Sequence, residues 1–168
     1  FGDQALDYER QQQFIVDIIV TDTAASNFVS SGCGNAANVG PCSVTKQLVI
    51  NVNDVNDRPV WSPASKILGA AEGMLKGAKV GGPTSAWVSD QDSKDTLTYS
   101  IVSGNPDAIF SIVAATGQVE VDQVGEHGLV KVDHTLGIKV IDDGAPPLSA
   151  TATFEVKVRD ANFPPEYL

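Results

Sequence analysis

The chain has 168 residues, 42% hydrophobic and 19% charged, and carries a net charge of −10 from 21 acidic and 11 basic side chains. That composition is globular rather than disordered, and its acidity argues against binding nucleic acid or an anionic membrane by long-range attraction. No apolar run reaches the roughly 18–20 residues of a membrane span, so direct membrane insertion is not expected; the longest, 14–20, is interrupted by Asp17. The chain opens Phe1-Gly2-Asp3 with neither a basic nor an apolar leader, so an exported protein would be represented here by a mature piece or an excerpt.

In chain order, "LDYE" places Asp7 and Glu9 two apart, on one side of an extended backbone. "FIVDIIV" (14–20) reads as a strand. Cys33 and Cys42 then bracket a Gly-, Asn- and Pro-rich loop. They form either a disulfide, stabilising by roughly 2.5–3 kcal/mol in an oxidising compartment, or two free thiols. A zinc pair lacks the further Cys or His it needs. "TKQLVINV" (45–52) is a second strand, running into the polar knot Asn53-Asp54-Val55-Asn56-Asp57 before Arg58 and Pro59. "AAEGMLKGAKVGG" reads as an edge strand or a short helical turn, and "SDQDS" supplies Asp90-x-Asp92. Strands follow at 97–102, 136–141 and 150–158, separated by "SGNP", "TG" and "DDGAPP". The last alternates cleanly, with Ala152, Phe154, Val156 and Val158 on the face expected to pack.

An internal repeat is visible. Each copy has an apolar strand ending in Asp (Asp22, Asp142), a loop, a second strand, and then Asp-x-Asn, a proline and an aromatic. Asp54 and Asp160 stand 106 positions apart, the size of one small sandwich. The polar knot is therefore a junction between repeats. Clustered carboxylates repel by about 4 kcal/mol per close pair at an effective dielectric near 20. A hard cation removes that cost, and Ca²⁺ accepts six to eight oxygens in forgiving geometry where Mg²⁺ demands a tight octahedron.

"LDYE", "DVND", "DQD", "SGN", "FSIVAATGQV" and "DDGAPPLSATATFEVKVRDAN" together resemble cadherin extracellular repeats over nearly the whole chain. The resemblance implies an all-β fold of tandem seven-stranded Greek-key sandwiches, the first represented by its C-terminal half. Residues 1–59 would be that half with its linker, 60–162 a complete repeat, and 163–168 the start of another repeat or a linker. It further implies calcium at the junction. The ligands would be Asp7, Glu9, Asp54, Asn56 and Asp57, the carbonyls of Val55 and Arg58, and Asp90 and Asp92. The carbonyl of Asn105 and the side chain of Asp142 would complete the outermost ion. Asp22 and Glu72 would serve other junctions.

The second copy departs from the pattern. Fifteen residues before Asp22 stands Asp7, but fifteen before Asp142 stands His127, and Leu129 occupies the place of Glu9. Phe163 stands where the first junction has Asp57, so the second junction should bind fewer ions or none. Asp90-x-Asp92 also resembles the metal motif of sugar-nucleotide transferases, but no Gly-rich phosphate loop accompanies it. His127 and His134, expected at the surface, have no nucleophile partner in a recognisable motif, so an enzyme is not expected. Trp61 and Trp87 read as packing residues rather than as an exchanged adhesive tryptophan. The expected function is a calcium-rigidified extracellular segment for adhesion or surface architecture, its partners other cadherin-like repeats. The alternative is a filament subunit whose repeats associate laterally or by strand complementation, with calcium secondary.

Overall fold

A computed structural model describes residues 6–21 and 43–161. Asp22, Cys33, Cys42 and Phe163 lie outside these residues, and so do the disulfide and the 163–168 segment expected from the sequence. The chain forms two compact units, Phe1–Val55 and Asn56–Leu168, dividing inside the polar knot, four residues before the boundary expected at position 59.

In the first unit, β1 (Gln13–Thr21) and β2 (Ser43–Asn51) form an antiparallel ribbon. β-branched residues are frequent in both strands, most of all in β1, as a pleated surface favours. In the second unit the described strands are β3 (Val60–Trp61), β4 (Ser65–Ala71), β5 (Lys79–Val80), β6 (Val88–Ser89), β7 (Thr98–Ser103), β8 (Phe110–Val113), β9 (Gln118–Val121), β10 (His134–Ile141) and β11 (Ser149–Arg159). One sheet runs β4-β11-β10-β7, another β5-β9-β8, and β3 pairs with β6. The small-residue stretch at 70–82 is the end of β4, two turns and the short β5, not a helix.

The core of the second unit joins the two larger sheets. Ala152, Phe154, Val156 and Val158 of β11 are buried, as their alternation requires. They meet Leu136, Ile138 and Val140 of β10 and Val80, Val119 and Val121 from the facing strands in one buried cluster. Trp61 and Trp87 pack on Phe154 with ring centroids 5.4 and 6.0 Å away, so both tryptophans are packing residues. His127 is exposed, whereas His134 is half-buried and packs edge-on against Phe110 at 5.0 Å. The surface position expected for His134 is thus corrected: its strand carries it over the Phe110 ring.

The internal repeat is reproduced in register. β1 pairs with β2 so that Phe14 faces Ile50 and Thr21 faces Ser43. β10 pairs with β11 so that His134 faces Val156 and Ile141 faces Ser149. The same shifts, 120 residues for the first strand and 106 for the second, relate every one of these pairs. The surroundings differ. Leu136, Ile138, Val140, Phe154 and Val156 are 0% exposed, while their counterparts Val16, Ile18, Val20, Leu48 and Ile50 are 40–66% exposed.

Candidate metal centre

Two strand pairings assemble an acidic pole on the second unit. Val60 of β3 faces Ser89 of β6, so the chain just before Val60 runs beside the chain just after Ser89. The Asp57 amide accordingly donates to Asp92 Oδ2 at 2.6 Å. On the main sheet, Thr98 of β7 faces Ile141 of β10. Residues preceding Thr98 and following Ile141 therefore share one end of the sheet, and the Thr96 amide donates to Asp143 Oδ1 at 2.7 Å.

Asp142 is the buried member, 3% exposed. Its Oδ1 accepts from the amides of Leu148 at 2.8 Å and Gly144 at 3.2 Å, and from Asn56 Nδ2 at 3.2 Å. Asn56 Nδ2 also donates to the Pro146 carbonyl at 2.8 Å. A Cβ on Gly144 would overlap the Asn56 side chain, so only glycine there leaves that amide where it is. Asp90 Oδ1 accepts from the Asp92 amide at 3.1 Å.

Four side-chain oxygens here are buried without a hydrogen-bond partner among the described residues: Asn56 Oδ1, Asp90 Oδ2, Asp95 Oδ2 and Asp142 Oδ2. Such orphans are rare in folded proteins and call for a partner, an ordered water or an ion. Burial pushes the Asp90 carboxyl up, opposed by the Asp92 amide and reinforced by the charges of Asp92, Asp142 and Asp57. Asp95 is likewise raised, by burial first and then by Asp143, Asp92, Asp142 and Asp90. Like charges held together, with all-oxygen donors still open, fit a hard cation such as Ca²⁺.

The first unit has a smaller acidic group of its own, in which carboxylate oxygens of Glu9 and Asp54 lie within 4.8 Å of each other. Asp7 instead closes a turn: its Oδ1 accepts from the Arg10 amide at 3.0 Å and its carbonyl from the Gln11 amide.

Of the residues singled out in the second unit, Asn56, Asp57, Asp90, Asp92 and Asp142 gather at one pole. Arg58, just before β3, is exposed, as is Val55 of the first unit. Asn105 is not at that pole. It follows Ser103, which lies near Gly137 at the far end of β7, five strand steps or roughly 17 Å from Thr98 and Ile141. Its amide side chain is spent on the Phe110 backbone, donating at 2.7 Å and accepting at 3.1 Å. The pairing of Asn105 with Asp142 on one ion is corrected by the length of the strand between them. Asp95 is the acidic residue the sequence reading passed over, and its proximity follows from the β7–β10 register.

No family model matches the chain. Human Protocadherin Fat 1 is 34% identical over 130 residues, covering 74% of this chain and 3% of that protein. Protein dachsous of Drosophila melanogaster is 35% identical over 129 residues, covering 73% of the chain and 4% of that protein. The chain thus spans only a small part of these curated relatives. Among solved structures, mouse cadherin-23 EC22-24 matches with a TM-score of 0.68 and 27% identity, over 94% of this chain and 45% of that one. The protocadherin gammaB7 EC3-6 cis-dimer matches with a TM-score of 0.67 and 23% identity, over 98% and 39%.

Proposed function

The chain is an extracellular stretch of cadherin repeats, all β in structure, and from that premise we propose that it binds calcium through its acidic pole and is stiffened by doing so. The observation that carries this reading is the set of buried, unpartnered oxygens on Asn56, Asp90, Asp95 and Asp142. Calcium supplies the positive charge and the coordination those oxygens lack. Asp90, Asp92, Asp142, Asn56 and Asp57, with the Arg58 carbonyl, would hold it in the second unit; Asp7, Glu9 and Asp54, with the Val55 carbonyl, are the first unit's own candidate ligands. Without the ion the carboxylates repel and the linking residues move; with it they are tied and the segment stiffens. The role is non-catalytic, serving adhesion or cell-surface architecture, and the partners are other cadherin-like repeats of the same or a neighbouring protein.

The test is a thermal melt in calcium and in chelator. Where free calcium exceeds the dissociation constant about 100-fold, one site raises stability by roughly 2.7 kcal/mol. Asp90→Asn/Asp92→Asn should lose most of that increment, and equal melting of the parent in both buffers would sink the reading.

The exposed apolar face of Val16, Ile18, Val20, Leu48 and Ile50 favours a second reading, in which another polypeptide complements the β1–β2 ribbon with strands. A two-stranded ribbon alone is marginally stable in water. A sedimentation measurement giving a monomer at all concentrations, with this face protected from deuterium exchange, would remove that reading.

A further inference from the structure

The repeat register gives every residue around Glu9 and Asp54 a counterpart in the second unit. Glu9 corresponds to Leu129, Gln11 to Lys131, Gln13 to Asp133 and Asp54 to Asp160. In the first unit, Glu9 and Asp54 bring two carboxylates within 4.8 Å. The second unit replaces that pair. Leu129 is 2% exposed and belongs to the core, held by its backbone to Gly73 and Met74. Lys131 Nζ lies 3.7 Å from Asp160 Oδ2.

The neighbouring charges are paired in the same way. Asp133 Oδ1 accepts from the Val158 amide at 2.9 Å, and its carboxylate lies 3.2 Å from Lys157 and 3.5 Å from Arg159. Lys157 also meets Glu155 at 3.1 Å. The backbone amide of Glu72, just after β4, donates to the Arg159 carbonyl at 2.8 Å and so brings that residue beside the same strand end. Where the first unit presents adjoining anions, this pole presents Lys131, Lys157 and Arg159 interleaved with the acids. A divalent cation placed at Asp160 would face the ammonium of Lys131 at close range and would find an aliphatic side chain in place of one carboxylate ligand.

We propose that Lys131 is a built-in counter-cation for Asp160, so that this pole of the second unit is held by protein charges and takes no calcium. Lys131 then decides whether this end of the repeat responds to the ion, and Leu129 lowers the number of ligands an ion would find there. The inference rests on the calcium reading above only for its contrast with the first acidic pole.

The experiment is calorimetric titration of the full chain with calcium chloride. The proteins are the parent, Asp160→Asn, Lys131→Gln, Leu129→Glu/Lys131→Gln, and the last two each combined with Asp160→Asn. Glutamate and glutamine at 129 and 131 recreate the first unit's Glu9 and Gln11. The expected result is that Asp160→Asn leaves the parent's calcium stoichiometry unchanged, and that removing Lys131 adds one calcium which Asp160→Asn abolishes. Because Leu129 is buried, Lys131→Gln alone keeps the test alive should the double variant not fold. A parent that loses a calcium on Asp160→Asn overturns the proposal, as does a folded Lys131→Gln protein that gains none. A parent that binds no calcium while Lys131→Gln gains an Asp160-dependent ion would instead fail the functional reading and leave this inference standing.

Discussion

Asn56 and Asp142, 86 residues apart, meet through one bond from the amide Nδ2 to carboxylate Oδ1 at 3.2 Å. Asp142 takes two backbone amides on the same oxygen and leaves Oδ2 open. The two oxygens therefore have separable jobs. Asp142→Asn keeps an Oδ1 acceptor and should shift the melt in chelator by only about 1 kcal/mol while removing most of the calcium increment. Asp142→Ala strips both jobs and should cost about 1–3 kcal/mol even in chelator. Melts of the two variants in both buffers check the division; equal losses in chelator would merge the roles.

Gly144 lies against Asn56 so closely that a single methyl group overlaps the amide. Gly144→Ala should push Asn56 off Asp142 and destabilise by about 1–3 kcal/mol, the usual cost of overpacking. The calcium response should fall with it, because Asn56 Oδ1 loses its position. Retention of the parent's calcium affinity in Gly144→Ala would show that Asn56 contributes no oxygen.

The packing residue with the most to lose is Phe154, fully buried between Trp61 and Trp87. Phe154→Ala should cost about 3–5 kcal/mol through lost transfer energy and a residual cavity. Chemical denaturation gives the difference, and a loss below about 1 kcal/mol would mean that the two indoles close the gap.

Much of this fold was legible because alternation is a direct image of burial. β11 shows its inward face in the spacing of Ala152, Phe154, Val156 and Val158, and β1, β2, β7 and β10 show themselves as β-branched runs. β4, with Gly69, Ala70 and Ala71, carries few large apolar residues, and β8 and β9, at four residues each, are too short for alternation to stand out. The acidic pole was legible in residue type but not in register. "SGN" near a strand marked Asn105, yet only the antiparallel pairing of Thr98 with Ile141 decides which end of β7 meets Asp142. The same pairing brings in Asp95, whose local sequence, "SKDT", reads as an ordinary loop.

Asp133 supplies the pH-dependent prediction. The Val158 amide holds its carboxyl below the usual value of 3.8, with the Lys157 and Arg159 charges acting in the same direction against a desolvation cost. A carboxyl depressed on folding contributes stability that is present above its unfolded value and lost as pH falls through the folded one. The melting gap between parent and Asp133→Asn should therefore be constant from neutral pH down to about 5 and close below 3.8. High salt should narrow it as well, since the ion pairs are partly exposed. A gap that widens with acid would contradict the assignment.

Asp95 separates a structural from an ion-binding role most sharply. Its Oδ2 is buried without a partner among the described residues, and Asp143, Asp92, Asp142 and Asp90 all oppose its charge. In chelator the carboxylate is a burden on the fold, so Asp95→Asn should melt no lower than the parent. In calcium the same oxygen helps neutralise the ion, and its charge should account for on the order of tenfold in affinity. Calcium titration followed by melts in both buffers reads the two effects separately. The expected pattern is a weaker calcium response on an equal or higher baseline, since relief of like-charge repulsion outlasts the loss of a ligand only when the ion is absent. An unchanged affinity would place Asp95 outside the coordination shell and leave its open oxygen to solvent.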